Sequence, residues 1–177
     1  MEIESSAGSI YQSLDVARGD IRLLELLPES YESDEIIFRL HTVPLADAPQ
    51  FTALSYTWGD PENTETIIFN GQKVKVTSNL YYILGMMEFL KRFPLDPSWN
   101  IPDPLYIWVD AVCINQQDHK EKSHEILRMR RIYEYGDVEV HLGCSPDFVH
   151  SDFSEEKSDK RALLCLDKLA DMGFGLP

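Results

Sequence analysis

The chain of 177 residues is long enough for one domain with a real core, and its composition, 44% hydrophobic and 26% charged, is that of an ordinary soluble globular protein. Sixteen Lys and Arg against thirty Asp and Glu leave a formal charge of −14, which repels phosphate backbones and anionic lipid, so neither nucleic acid nor a membrane surface is an expected partner. The cysteines Cys113, Cys144 and Cys165 show no C-x-x-C spacing, which argues against a disulfide framework or zinc ribbon and fits a reducing, cytoplasmic setting; with no basic and apolar leader and no long apolar window, neither a signal peptide nor a membrane span is expected.

Met1 to Asp20 is polar and acidic and reads as a flexible lead, with residues 21–177 as a single domain. Ile21 to Leu27 and Ile36 to Val43 have strand composition and flank an acid-rich turn, so a hairpin is expected there. Thr52 to Thr57 is a third strand, stopped by Trp58-Gly59-Asp60-Pro61. Asn70-Gly71 between Thr66 to Phe69 and Lys73 to Thr77 marks a tight hairpin, because both turn residues tolerate positive φ. Ser78 is the expected N-cap of a helix with an apolar stripe through Leu80, Ile83, Leu84, Met87 and Leu90, running to about Arg92. A proline-rich connection then leads to Tyr106 to Val109, a buried strand that ends in Asp110.

Ala111 to Asp118 reads as a polar loop, and Ile126, Met129, Ile132 and Tyr133 recur at helical spacing up to about Tyr135, with Gly136 in the C′ position. Val138 to Leu142 is a short strand ending at Gly143, and Asp152 and Glu155 have capping-box spacing ahead of a last helix bearing Leu163, Leu164, Leu166 and Leu169. Strand alternating with helix from Thr52 onward predicts an α/β domain with a small parallel sheet, the hairpins being decorations.

Chemistry concentrates at two strand ends. Asp110 closes a buried strand, so its carboxylate must either meet donors in its own loop or face a site. Asn115 and Gln116 can present amides to a ligand or bond their own turn. At the other strand end, Ser55, Tyr56, Trp58 and Gly59 form a loop in which Trp58 can stack on an aromatic ring, although the core is the commoner place for a tryptophan. Trp108, mid-strand, belongs to the core. His119 and His124 are wrongly spaced for a shared metal and HExxH is absent, so no metal site is expected. Cys113 has no adjacent base and reads as a small buried hydrophobe.

FTALSYTWGD at Phe51 to Asp60, together with VDAVCINQQD, the following Glu121-Lys122 and the M-x-x-I-Y run in the Leu105 to Tyr133 stretch, resembles the HET (heterokaryon incompatibility) domain of filamentous fungi. The Asn-Gly hairpin, Asn79-Leu80 and the strand at Val138 to Gly143 follow in that family's order, so the resemblance covers roughly residues 51–143. It implies a module of fungal non-self recognition that triggers cell death, usually within a larger protein, and this chain stops at Pro177 soon after a helix, as a truncated piece would.

HET domains are in turn similar to TIR domains. That similarity implies a TIR-like, flavodoxin-like order of a small parallel sheet flanked by helices, with added N-terminal strands and a β-hairpin insertion. It also implies NAD or a related nucleotide as substrate, no required cofactor, and action as a homo-oligomer or with a signalling partner. Self-association without catalysis is the other reading. The residues implied to wall the nucleotide site are Ser55, Tyr56, Trp58, Gly59, Asp60, Asp110, Asn115, Gln116 and Asp118. For the catalytic carboxylate, Glu121 opens the helix beside the ligand-side loop, and Glu155 and Glu156 lie in the segment where TIR enzymes carry theirs. A solvated first-turn acid, favoured by the helix dipole, is the alternative for Glu121.

Overall fold

The computed structural model describes residues 10–33, 35–94 and 101–141. The first two strands form as their composition requires: β1 (Asp20–Leu26) and β2 (Ile37–Pro44) pair antiparallel from Asp20↔Pro44 to Leu26↔Phe38. The turn between them is fixed by buried Ser30, whose hydroxyl accepts from the Ile37 N–H at 2.7 Å. β3 (Thr52–Tyr56) follows, and then the hairpin of β4 (Thr64–Phe69) and β5 (Gln72–Thr77). Asn70 and Gly71 take φ of 49° and 76° at its tip, the pair of positive values a two-residue hairpin turn needs.

α1 (Ser78–Arg92) starts without a linker after β5, so Thr77 is the cap and Ser78, expected to cap, is already helical. Its hydroxyl donates instead to Asn63 Oδ1 at 2.9 Å. β6 (Tyr106–Trp108) leads directly into a single helical turn, α2 (Asp110–Cys113), where the sequence had suggested a loop. α3 (His119–Tyr135) runs on to β7 (Asp137–His141). The expected last helix, with Asp152, Glu155 and the leucines that follow, lies outside the described residues.

All seven strands join one mixed sheet in the order β5-β4-β2-β1-β6-β3-β7. β6, β3 and β7 are parallel and stand in the 2-1-3 order of flavodoxin-like folds, flanked by helices, so the α/β class holds. The hairpins are more than decorations. β1 pairs with β6 at Leu24↔Ile107 and β4 with β2 at Phe38↔Phe69, which covers edges that would otherwise leave backbone groups unpaired.

Two expectations about the ends of elements change. From Ile10 the N-terminal segment is no loose lead: Ile10 is buried, Tyr11 packs against the core, and the Tyr11 hydroxyl donates to Val112 O at 3.0 Å. Gly136 has an extended φ of −92°, so its glycine is not required by handedness. It is required by space, since an added Cβ would stand 2.6 Å from the Phe51 ring. On α3 the inner face is set by Glu125, Met129 and Ile132, and Ile126, expected inward, is 50% exposed. Buried Glu125 is neutralised by Arg128 at 2.6 Å, and Arg128 also donates to Gly19 O and Asp20 O, tying α3 to the start of β1. Trp108 lies in the core as expected. No helix among the described residues is long and apolar enough to cross a membrane.

Candidate functional site

The pairing of β3 with β6, Thr52↔Ile107 and Ala53↔Trp108, sets the loops that leave their C-terminal ends side by side. In open α/β sheets this is the edge where ligands bind. The first loop owes its shape to glycine and to α1. Gly59 takes φ +78°, and an added Cβ would meet the Asn79 side chain at 2.8 Å. Asn79, in the first turn of α1, donates to Thr57 O at 3.0 Å, and Asp60 closes the loop by accepting from the Glu62 N–H at 2.9 Å. With its neighbours so engaged, Trp58 stands 47% exposed, contrary to the commoner core position of a tryptophan.

The second loop begins at Asp110, the first residue of α2, which accepts from the Ala111 N–H at 2.7 Å. Burial pushes the Asp110 carboxyl above the usual range, and the Ala111 N–H, the Trp58 indole and the Lys122 charge pull it back only in part. The Tyr56 and Tyr133 hydroxyls are raised by burial first and by the nearby Asp110 charge second. Tyr133 donates to Leu54 O at 3.0 Å and lies beside the Ser55 hydroxyl, so α3 closes the back of the group. Asp110 is thus a partly buried carboxylate that interacts with two phenols and with the half-exposed Trp58 indole. Acids shifted by burial beside a specific partner are enriched at functional sites.

Glu121 is used differently. Its Oε1 and Oε2 accept from Arg22 at 2.5 and 2.9 Å, and Oε1 also accepts from the Asn115 N–H at 2.6 Å. Arg22 is 1% exposed and donates further to Cys113 O at 3.0 Å and Gln12 O at 2.6 Å, with the Tyr11 ring 4.9 Å beneath its guanidinium. Removing one member of such a buried pair costs about 3–5 kcal/mol.

Of the residues the sequence proposed for the site, the structure gathers Ser55, Tyr56, Trp58 and Asp110 at one edge and uses others to shape the loops. Asn115 Oδ1 accepts from the Gln117 N–H at 3.2 Å and Gln116 donates to Asp110 O at 2.8 Å, the local turn bonding that was the alternative for both. Asp118 caps α3 by accepting from the Lys120 and Glu121 N–H groups. Cys113 is buried with its thiol pushed up to about 12, which makes it a packing group. His124 faces Glu125, and no group of three metal-ligating side chains occurs among the described residues. Glu155 and Glu156 lie outside the described residues. Arg22, Lys122 and Tyr133 were missed; only Arg22 carried a signal, as a lone cation in the apolar run Ile21 to Leu27, where a buried charge must find a partner.

The chain matches the family described as Heterokaryon incompatibility protein (HET) over residues 51–161. It is 35% identical over 156 residues to heterokaryon incompatibility protein 6, OR allele, of Neurospora crassa; the match covers 80% of this chain and 22% of that protein, so the chain spans about a fifth of its relative's length. No solved structure matches.

Proposed function

The chain belongs to the heterokaryon incompatibility (HET) family, and on that premise we propose that it is an effector module of fungal non-self recognition that triggers cell death by TIR-like cleavage of NAD at the nicotinamide glycosidic bond. The observation that carries the reading is the half-exposed Trp58 indole beside the partly buried Asp110 carboxylate at the C-terminal edge of β3 and β6. Trp58 supplies a flat face for a nicotinamide or adenine ring. Ionised Asp110 accepts a hydrogen bond from a ribose hydroxyl and stabilises the positive charge that grows on the sugar as the C1′–N bond breaks. Water then adds to C1′ and loses a proton, giving nicotinamide and ADP-ribose. Because nicotinamide leaves as a neutral molecule from a cationic ring, no acid has to protonate it.

A second reading, self-association without catalysis, is favoured by the outward side of α3, where Leu127 is 85% and Ile126 50% exposed. Nicotinamide release from NAD at high protein concentration separates the two. The glycohydrolase reading expects release by the unaltered chain, lost in Asp110→Asn. Loss in Glu155→Ala or Glu156→Ala with Asp110→Asn still active moves the carboxylate to the other segment. An assembled protein that consumes no NAD leaves only the signalling reading.

A further inference from the structure

We propose that Arg22 and Glu121 act as a positioning pair that fixes the 109–118 loop, and through it Asp110, in its place at the site. The inference deepens the reading above and rests on it for the purpose the loop serves. The observations are geometric. The loop is gripped on either side of Ile114: Arg22 holds Cys113 O at 3.0 Å, and Glu121 holds the Asn115 N–H at 2.6 Å. The grips are joined by the double Arg22–Glu121 bond, so a strand in the sheet's interior and the first turn of α3 close on the loop together.

The N-terminal segment completes the fastening from behind. Gln12 O takes the other arm of the Arg22 fork at 2.6 Å, the Tyr11 ring stacks at 4.9 Å, and the Tyr11 hydroxyl reaches Val112 O at 3.0 Å. Within the loop, Gln116 then carries the constraint to Asp110 by donating to its carbonyl at 2.8 Å. Arg suits the central place because a planar fork can serve a carboxylate and two carbonyls at once, which a lysine ammonium cannot do with fixed geometry. A helix-opening acid without such a partner would be free to meet solvent or substrate. Here both its oxygens are occupied, so Glu121 acts through Asp110's loop and does not touch the reacting atoms.

The test reads the loop without turnover. In nitrogen-15 spectra of the whole chain, the Trp58 indole resonance should titrate with the carboxylate beside it; among the described residues Lys122, Tyr56, Tyr133 and the Cys113 thiol are the other charged or titratable groups that interact with that carboxylate. Glu121→Gln and Arg22→Lys should each move the Trp58 titration down, toward the ordinary carboxylate range, as the loosened loop lets more water reach Asp110. Amide exchange across residues 110–118 should quicken by at least about tenfold, the signature of local opening. Nicotinamide release should fall mainly in kcat, since the defect lies in placing the carboxylate and not in holding the ring.

Tyr11→Phe keeps the stacked ring and removes the hydroxyl that bonds Val112 O, so it provides a milder variant with the same direction of change should the others not fold. A folded Glu121→Gln with an unaltered Trp58 titration and unaltered loop exchange overturns the proposal. An unaltered chain that releases no nicotinamide, yet shows the expected titration shifts, overturns the glycohydrolase reading and leaves the positioning pair standing.

Discussion

At the scale of single residues the candidate site pairs one partly buried acid, Asp110, with one half-exposed aromatic ring, Trp58. Burial of Asp110 favours its neutral form, so the folded state carries a cost whenever the group ionises. The sign follows from the direction of the shift. With its folded pKa above the unfolded value, Asp110 contributes stability that is fully present below about pH 3.8 and is lost as pH rises through the folded value. The proposed cleavage needs the ionised form, so nicotinamide release should rise with pH through that same raised value. A rate that is flat across the acid limb would contradict it. Trp58 makes the converse case, because its ring is 47% exposed and lies outside the apolar core. Trp58→Ala should leave the melting temperature within about 1–2 °C, as surface changes do in a chain of this size. It should also weaken NAD by about 1–3 kcal/mol, the usual worth of one aromatic stack on a base, measurable as a rise in Kd.

The elements fit one another through contacts that are tight at a few places. Gly136 joins α3 to β7 with no room for a side chain, since an added Cβ would meet the Phe51 ring at 2.6 Å and Ala53 Cβ at 3.1 Å. Gly136→Ala should therefore cost about 1–3 kcal/mol through overpacking, read as a lower urea midpoint; an unaltered midpoint would show that Phe51 can turn aside. Period and turn chemistry made most elements legible in advance: the Asn70-Gly71 hairpin, both long helices and the strands around them lie within a residue or two of where the sequence points. What stayed hidden was non-local. The pairing of β1 with β6 joins residues about eighty apart, and Arg22 meets Glu121 across 99 positions. Neither leaves a periodic trace. Asp110 was legible because an acid ending an apolar strand is a local oddity, whereas Glu121, read as a candidate catalyst, revealed its use only once its buried partner was in view.

For the whole molecule, one sheet unites two kinds of pairing. The parallel set β6, β3 and β7 presents the site, and the antiparallel β1 and β2 brace it from the side, with β1 contributing Arg22 to the loop behind Asp110. The N-terminal segment from Ile10 is part of that brace, so the unit that serves the site begins well before the residues matched by the HET family. The chain spans 22% of its Neurospora relative. The central claim is that Asp110 is kept in a costly place because the reaction needs it there. Its most direct test is nicotinamide release by Asp110→Asn, assayed beside its own thermal melt at neutral pH. The account predicts release reduced at least about 100-fold, as for loss of a group that stabilises transition-state charge, together with a melting temperature equal to or higher than that of the unaltered chain. Undiminished release from a folded Asp110→Asn protein would contradict it.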